Sequence, residues 1–190
     1  MTRTVYYTAT TLDGFIADPD DSLDWLLRQP QESGGVGDYE EFIGGVGALV
    51  MGSTTYEWVL DHEQGVWSYE LPAFVLSHRE LALPTGTAAG GSADIRFRRG
   101  EVASLREELR DATGGKDLWI VGGGDLAGQF ADIDALDEVV TSIAPVVLGA
   151  GRPLLPRRLD LDLVEVGRNG AFVVARHRVV GRLAEDRESR

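Results

Sequence analysis

The chain opens on β-branched and aromatic residues. Residues 4–12 (TVYYTATTL) read as a strand that stops at the turn dipeptide Asp13-Gly14. The acidic stretch 18–24 predicts a loop. An apolar run at 48–51 is the next strand, and Gly52-Ser53-Thr54-Thr55 behind it offers a hydroxyl cap to a helix through 56–60. Residues 73–76 form another buried-strand candidate, ending at Ser77-His78-Arg79, and the low-complexity stretch 85–94 predicts a surface loop. Val102, Leu105, Leu109 and Ala112 recur at helical spacing and predict an amphipathic helix. A strand at 118–121 runs into Gly122-Gly123-Gly124 and a helix reaching residue 131, and a further strand covers 137–144. Near the end, segments 161–166 and 171–179 flank Asn169-Gly170, a strong hairpin signal, with an irregularity expected near Gly167-Arg168.

Strands alternate with helices first, and an antiparallel hairpin closes the series. That order predicts an α/β fold with a mixed, mainly parallel twisted sheet, helices on both faces and a C-terminal antiparallel hairpin. A chain of 190 residues fits one domain. We assign the domain to residues 1–182 and a polar tail to 183–190.

Charge narrows the partners. Eighteen Lys and Arg stand against 31 Asp and Glu, a net charge of -13, and such a surface repels nucleic acid. An anionic cofactor would need local donors rather than a global positive field. The absence of cysteine excludes disulfides, thiolate catalysis and Cys-based metal sites. No apolar run approaches the length of a membrane span, and no apolar leader precedes the first strand, so the expected location is the cytoplasm.

The sharpest local feature is the run from Leu118 to Leu126 (LWIVGGGDL), where a strand delivers three glycines to a helix start. Missing Cβ atoms let a diphosphate approach the backbone, and free N–H groups favour its charge. A tight strand-to-helix turn would explain the glycines equally well. Gly52-Ser53-Thr54-Thr55 and Ser77-His78-Arg79 are two further donor-rich strand ends, each explicable alone as a helix cap or a solvated loop. Three of one type point to a binding edge, because parallel α/β sheets bind ligands at the carboxyl ends of their strands. Rival motifs fail. Asp18, Asp20 and Ser22 resemble a calcium loop, but Leu23 replaces its glycine and Gln29 its closing Glu. His62, His78 and His177 lack metal-ligand spacing, so no metal is expected. There is no nucleophile elbow and no P-loop.

The arrangement resembles the dihydrofolate reductases and the RibD C-terminal domain, the reductase of riboflavin synthesis. TATTLDGFIA at 8–17 looks like their first strand and loop, and VMGSTTYE at 50–57 is similar to their "M-G-R-x-T-[WY]-E" segment. FVLSHR at 74–79 resembles the "V-L-S-x" strand, IVGGG at 120–124 the "I-G-G-G" run, and VTSI at 140–143 the late "L-T-x-I" strand. The matches are in order and span roughly residues 4–180.

The resemblance implies an NADPH-dependent reductase acting on a small heterocyclic substrate. Ala9 and Ile16 would line the nicotinamide pocket. Gly52, Ser53, Thr54 and Thr55 would meet the diphosphate from one side, and Gly122, Gly123, Gly124, Asp125 and Leu126 from the other, with a cis peptide at Gly122-Gly123. Ser77, His78 and Arg79 would hold the adenosine ribose and its 2′-phosphate, while Trp25 and Thr141 would border the substrate. A homodimer is a further expectation taken from the family. The departures matter too. Pro30 falls near the place of the acid that binds the pterin in dihydrofolate reductases, leaving Asp24, or water near Thr141, as the proton source. Val121 replaces the acid that the riboflavin reductases carry before their Gly-Gly pair, and residues 60–63 lack their arginines. Residues 144–154 (APVVLGAGRPL) resemble the "P-x-x-x-G-x-G-x-P-L" signature of a stand-alone branch, or simply form a Gly/Pro-shaped turn. Without a clear acid, a non-catalytic nucleotide-binding or dimer-scaffold protein that retains the fold is the alternative.

Overall fold

Strand β1 (Thr4–Thr11) is packed on both sides. Tyr6 is buried in one layer, while Val5, Tyr7 and Ala9 face the other. A strand apolar on both faces belongs inside a sheet. The computed structural model describes residues 2–187 and places β1 fourth in an eight-stranded sheet.

After the turn at Gly14, with φ +83°, β2 (Phe15–Ala17) leads into the acidic loop. That loop ends one residue early, because Asp24 already begins helix α1 (Asp24–Leu27). Helix α2 (Tyr39–Gly44) is capped by the Asp38 carboxylate, which accepts the Glu41 amide at 2.9 Å. Strand β3 (Val46–Gly52) runs directly into α3 (Ser53–His62). The hydroxyl cap expected there is not made: Gly52 is the N-cap, so Ser53, Thr54 and Thr55 already form the first turn. Their hydroxyls remain available for other partners.

Strands β4 (Val66–Trp67), β5 (Ala73–Leu76), β6 (Gly86–Thr87) and β7 (Ile95–Arg98) follow. Because β6 pairs with β4, the segment 85–94 is a loop only in part. Helix α4 (Val102–Ala112) buries Val102, Leu105 and Leu109, the residues whose spacing predicted it. Strand β8 (Asp117–Gly122), helix α5 (Gly124–Asp132) and strand β9 (Glu138–Ala144) agree with expectation to within a residue or two. Short β10 (Arg152–Pro153) returns to pair with β2. The hairpin β11 (Leu159–Asn169) and β12 (Phe172–Arg182) turns at Gly170, φ +54°. Its register shifts fall at Asp160/Leu161 and Leu163/Glu165, not near Gly167-Arg168. Gly167 answers to packing instead, since a Cβ there would lie 2.6 Å from Val36 Cγ2. Part of the expected polar tail is a short helix, α6 (Ala184–Arg187); the tail residues 188–190 lie outside the described residues.

The sheet order is β11-β12-β9-β1-β8-β3-β5-β7, parallel from β9 to β7, with β12 antiparallel to both its neighbours. Helices α4 and α5 pack on the face carrying Tyr6, Val50, Phe74 and Ile120. Helix α3 covers the opposite face over Leu49, Met51, Val75 and Trp119, and α1 and α2 extend that layer through Trp25 and Phe42. Alternate residues of β3, β5 and β8 therefore feed two cores, as the period-2 pattern of a doubly covered strand requires. Among the described residues, no helix is long and apolar enough to cross a membrane.

Candidate active site

Strands β3, β5 and β8 end side by side at Gly52, Leu76 and Gly122. With the starts of α3 and α5 they line a cavity of about 680 Å³. Its place, outside the carboxyl ends of parallel strands, and its size are those of a small-molecule site.

The glycines of the cavity divide by what a side chain would meet. Gly124 is required by packing against backbone, and Gly122 is crowded by a side chain. A Cβ at Gly122 would lie 2.8 Å from Thr55 Oγ1, and one at Gly124 would lie 2.3 Å from the Pro153 carbonyl oxygen. These contacts draw the α3 start, the α5 start and β10 together. Gly123 and Gly52 are different. A Cβ at Gly123 meets only Ile16 Cδ1, at 3.8 Å, and one at Gly52 meets nothing within 4 Å. Both backbones are open to the cavity. The peptide between Gly122 and Gly123 is cis.

Of the residues singled out in the sequence, Ile16, Gly52, Ser53, Thr54, Thr55, Ser77, His78, Gly122, Gly123, Gly124, Asp125 and Leu126 line the cavity. The Ser77 hydroxyl also closes a turn, accepting the Arg79 amide at 2.9 Å. Arg79 stands at the rim: its Nη2 donates to Ser53 Oγ at 3.1 Å and to Glu57 Oε2 at 2.6 Å. Glu57 is thus a carboxylate beside the expected 2′-phosphate position, and only the turn of α3 reveals it.

Four other residues are placed away from the cavity lining. Asp24 is exposed at the start of α1, where its amide donates to Ser22 Oγ. Trp25 is buried against Val140, Ala144 and Phe172, and its Nε1 has no protein partner. Ala9 packs against the same group. Thr141 is 5% exposed, with Oγ1 3.5 Å from the Ala175 carbonyl oxygen. Its neighbour across the β1–β9 ladder, Thr8, is the residue that reaches the cavity. Residues the sequence reading did not single out complete the lining, among them Asp21, Leu23, Trp58, Gln129 and Arg152. Their signal is tertiary: Arg152 is 131 residues from Asp21, yet its Nε and Nη2 grip the two Asp21 carboxylate oxygens at 2.6 and 2.8 Å. The Arg152 guanidinium holds the Asp21 carboxyl below the usual carboxylate range. Asp125 is lowered as well, first by the Gln129 amide and then by Arg157.

The family model of the RibD C-terminal domain matches residues 4–173. The chain belongs to that family. It is 33% identical over 160 residues to the uncharacterised protein YwjB of Bacillus subtilis, covering 80% of this chain and 82% of that one. It is 27% identical to the riboflavin biosynthesis protein RibD of Corynebacterium ammoniagenes, covering 82% of this chain but only 46% of RibD. Among solved structures, a putative riboflavin biosynthesis protein from Shewanella sp. PV-4 superposes with a TM-score of 0.77 at 28% identity, covering 93% of this chain and 98% of that one. Dihydrofolate reductase from Enterococcus faecalis, complexed with NADP(H), shares the fold at a TM-score of 0.52 and 13% identity, covering 94% of this chain and 96% of that one. The RibD C-terminal domain of this chain is therefore a single α/β domain of the dihydrofolate-reductase type.

Proposed function

We propose that this protein is an NADPH-dependent reductase acting on a small heterocyclic substrate through a C=N or C=O bond. The observation that carries the reading is the cradle at Gly123 and Gly52, two backbones kept open on facing walls of one cavity. A diphosphate would be held there by the first amides of α5 and of α3, whose unpaired N–H groups and helix dipoles favour an anion without needing a positive surface. The hydroxyls of Ser53, Thr54 and Thr55, free of capping duty, add donors on the α3 side. A bound nicotinamide supplies the hydride. The chain's own work is orientation: Ile16 and Val121 give the cavity apolar wall, and Thr8 offers a hydroxyl beside it.

The proton is a separate matter. Asp21 and Asp125, the carboxylates lining the cavity among the described residues, are both held as anions by their partners. Neither is a good acid at neutral pH. In this reading the proton comes from water admitted at the cavity mouth, where the Thr8 hydroxyl is one of the lining polar groups. The test is NADPH titration followed by absorbance at 340 nm with pterin, ribosylaminouracil, quinone and carbonyl substrates. Saturable binding with oxidation of NADPH by one of these classes supports the reading; binding without turnover of any supports a non-catalytic nucleotide-binding protein.

Association into a homodimer belongs to the same reading. Leu163 pairs with His177, Val166 with Ala175 and Arg168 with Val173, so the three apolar residues Leu163, Val166 and Val173 share one face of the hairpin. They are 60%, 58% and 50% exposed, an apolar strip that a second copy would cover.

A further inference from the structure

Arg152 is the one Lys or Arg side chain among the described residues that line the cavity. In a chain of net charge -13 that position is informative. The segment that carries Arg152 does not depend on a cation for its place. The backbone already staples it to the turn at residues 12–14: Leu12 N donates to the Val146 oxygen at 2.8 Å and Leu154 N to the Gly14 oxygen at 2.9 Å. The Asp13 carboxylate takes the Leu148 and Gly149 amides as well, and a Cβ at Gly151 would lie 2.1 Å from the Ala17 oxygen. Against these bonds an ion pair between half-exposed side chains adds little.

Its partner is equally placed. Asp21 sits in a loop closed by Asp18, whose carboxylate accepts the Asp20 and Ser22 amides, and its own φ is +63°. The loop presents the Asp21 carboxylate to the guanidinium in a bidentate fork, the geometry that a phosphate would also adopt. Asp20 adds a second negative charge nearby. Two carboxylates therefore hold a cation that also faces the cavity. The carbonyl of Pro153, the next residue, packs on Gly124 at the start of α5, and Arg152 lines the same cavity as the first α5 residues.

We propose that Arg152 is the cavity's recognition residue for a phosphoryl anion and that Asp21 is its internal competitor, released when the anion binds. This rests on the reading of the cavity as a nucleotide-dependent reductase site. The phosphoryl group is either the diphosphate of the cofactor or a phosphate carried by the substrate. Arg152 exchanges one bidentate acceptor for another; Asp21 turns to solvent. A ligand without such a group leaves the pair closed. The device sets a threshold for entry, since only an anion that outcompetes Asp21 frees the guanidinium.

The experiment uses the full chain and three variants, Asp21→Asn, Arg152→Gln and Arg152→Lys, each checked for an unchanged thermal melt. Asparagine keeps the left-handed backbone position and removes only the charge. Each protein is titrated calorimetrically with NADPH and, separately, with ribose 5-phosphate. Asp21→Asn should bind about tenfold tighter and Arg152→Gln at least about tenfold weaker, with Arg152→Lys between, as expected for gain or loss of a charge-assisted contact. If NADPH carries the effect, the anion is the cofactor's; if ribose 5-phosphate carries it, the anion is the substrate's. Wild-type protein that ignores NADPH while the ribose 5-phosphate series behaves as stated would defeat the cofactor reading alone. Equal affinities across the variants for both probes, equal losses in Asp21→Asn and Arg152→Gln, or no binding of either probe by any protein, would overturn the assignment of Arg152.

Discussion

Gly123→Val separates a ligand role from a structural one at a single carbon. The φ of −97° and ψ of −174° at Gly123 suit any L-residue, and a Cβ there meets only Ile16 Cδ1, at 3.8 Å. The Cβ of valine therefore fits, and an apolar N-cap costs about 1 kcal/mol. Its methyl groups occupy the space beside Ile16 and shield the first α5 amides. Losing two charge-assisted hydrogen bonds, at ~1.5 kcal/mol each by the lower estimate, removes about 3 kcal/mol of binding, roughly a hundredfold in Kd. Gly124→Ala is the control with the opposite signature. Its Cβ would lie 2.3 Å from the Pro153 oxygen and 2.4 Å from the Leu154 oxygen, both backbone atoms. Strand β10 must move, at about 1–3 kcal/mol, which lowers Tm by roughly 2–4 °C per kcal/mol in a domain of this size. Circular-dichroism melts and NADPH calorimetry on both variants decide the matter. The expected pair is a near-native melt with lost binding for Gly123→Val, and a lowered melt for Gly124→Ala. Undiminished NADPH affinity in a folded Gly123→Val protein would refute the placement of the diphosphate.

Arg79→Ala should weaken NADPH by roughly tenfold and leave NADH nearly unchanged, the lower end of a charge-assisted contact because Glu57 already holds Nη2. Glu57→Gln should tighten NADPH; fluorescence titrations showing equal losses for both cofactors would make Arg79 structural. The Glu41 amide holds the Asp38 carboxyl below the usual carboxylate range. A depressed folded pKa stabilises the native state above the unfolded value of ~3.9 and loses that contribution as pH falls through the folded value. Wild-type Tm should thus fall more steeply between pH 5 and pH 3 than that of Asp38→Asn, and parallel curves would contradict the cap. Leu163→Asp with Val166→Asp should convert a dimer into a monomer of 20.6 kDa in sedimentation; a monomeric wild type would remove the apolar-strip argument.

Local pattern was enough for the elements. The four residues 73–76 form a strand because they are apolar throughout and end at a polar triplet, and α4 forms where its apolar residues recur every three or four positions. The mixed sheet follows from their order, and the three donor-rich strand ends were legible because each marks a strand passing into a polar, helix-starting or loop segment. What the three ends share is a single edge, and that came only from the parallel register of β3, β5 and β8. The roles of adjacent glycines also lay outside the sequence. Gly122, Gly123 and Gly124 are chemically identical, yet Thr55 and Pro153 crowd the outer two and leave the middle one open. Period-2 alternation says that Thr8 and Ala9 face opposite ways but not which way the cavity lies. Resemblance places Trp25 at the substrate border; that β9 and β12 pack over it is visible only in the fold. Asp21 and Arg152 are brought together by the pairing of β2 with β10. Long-range pairing depends on every strand between, so no local pattern announces it; the charge that faces the cavity was a decision of the tertiary structure.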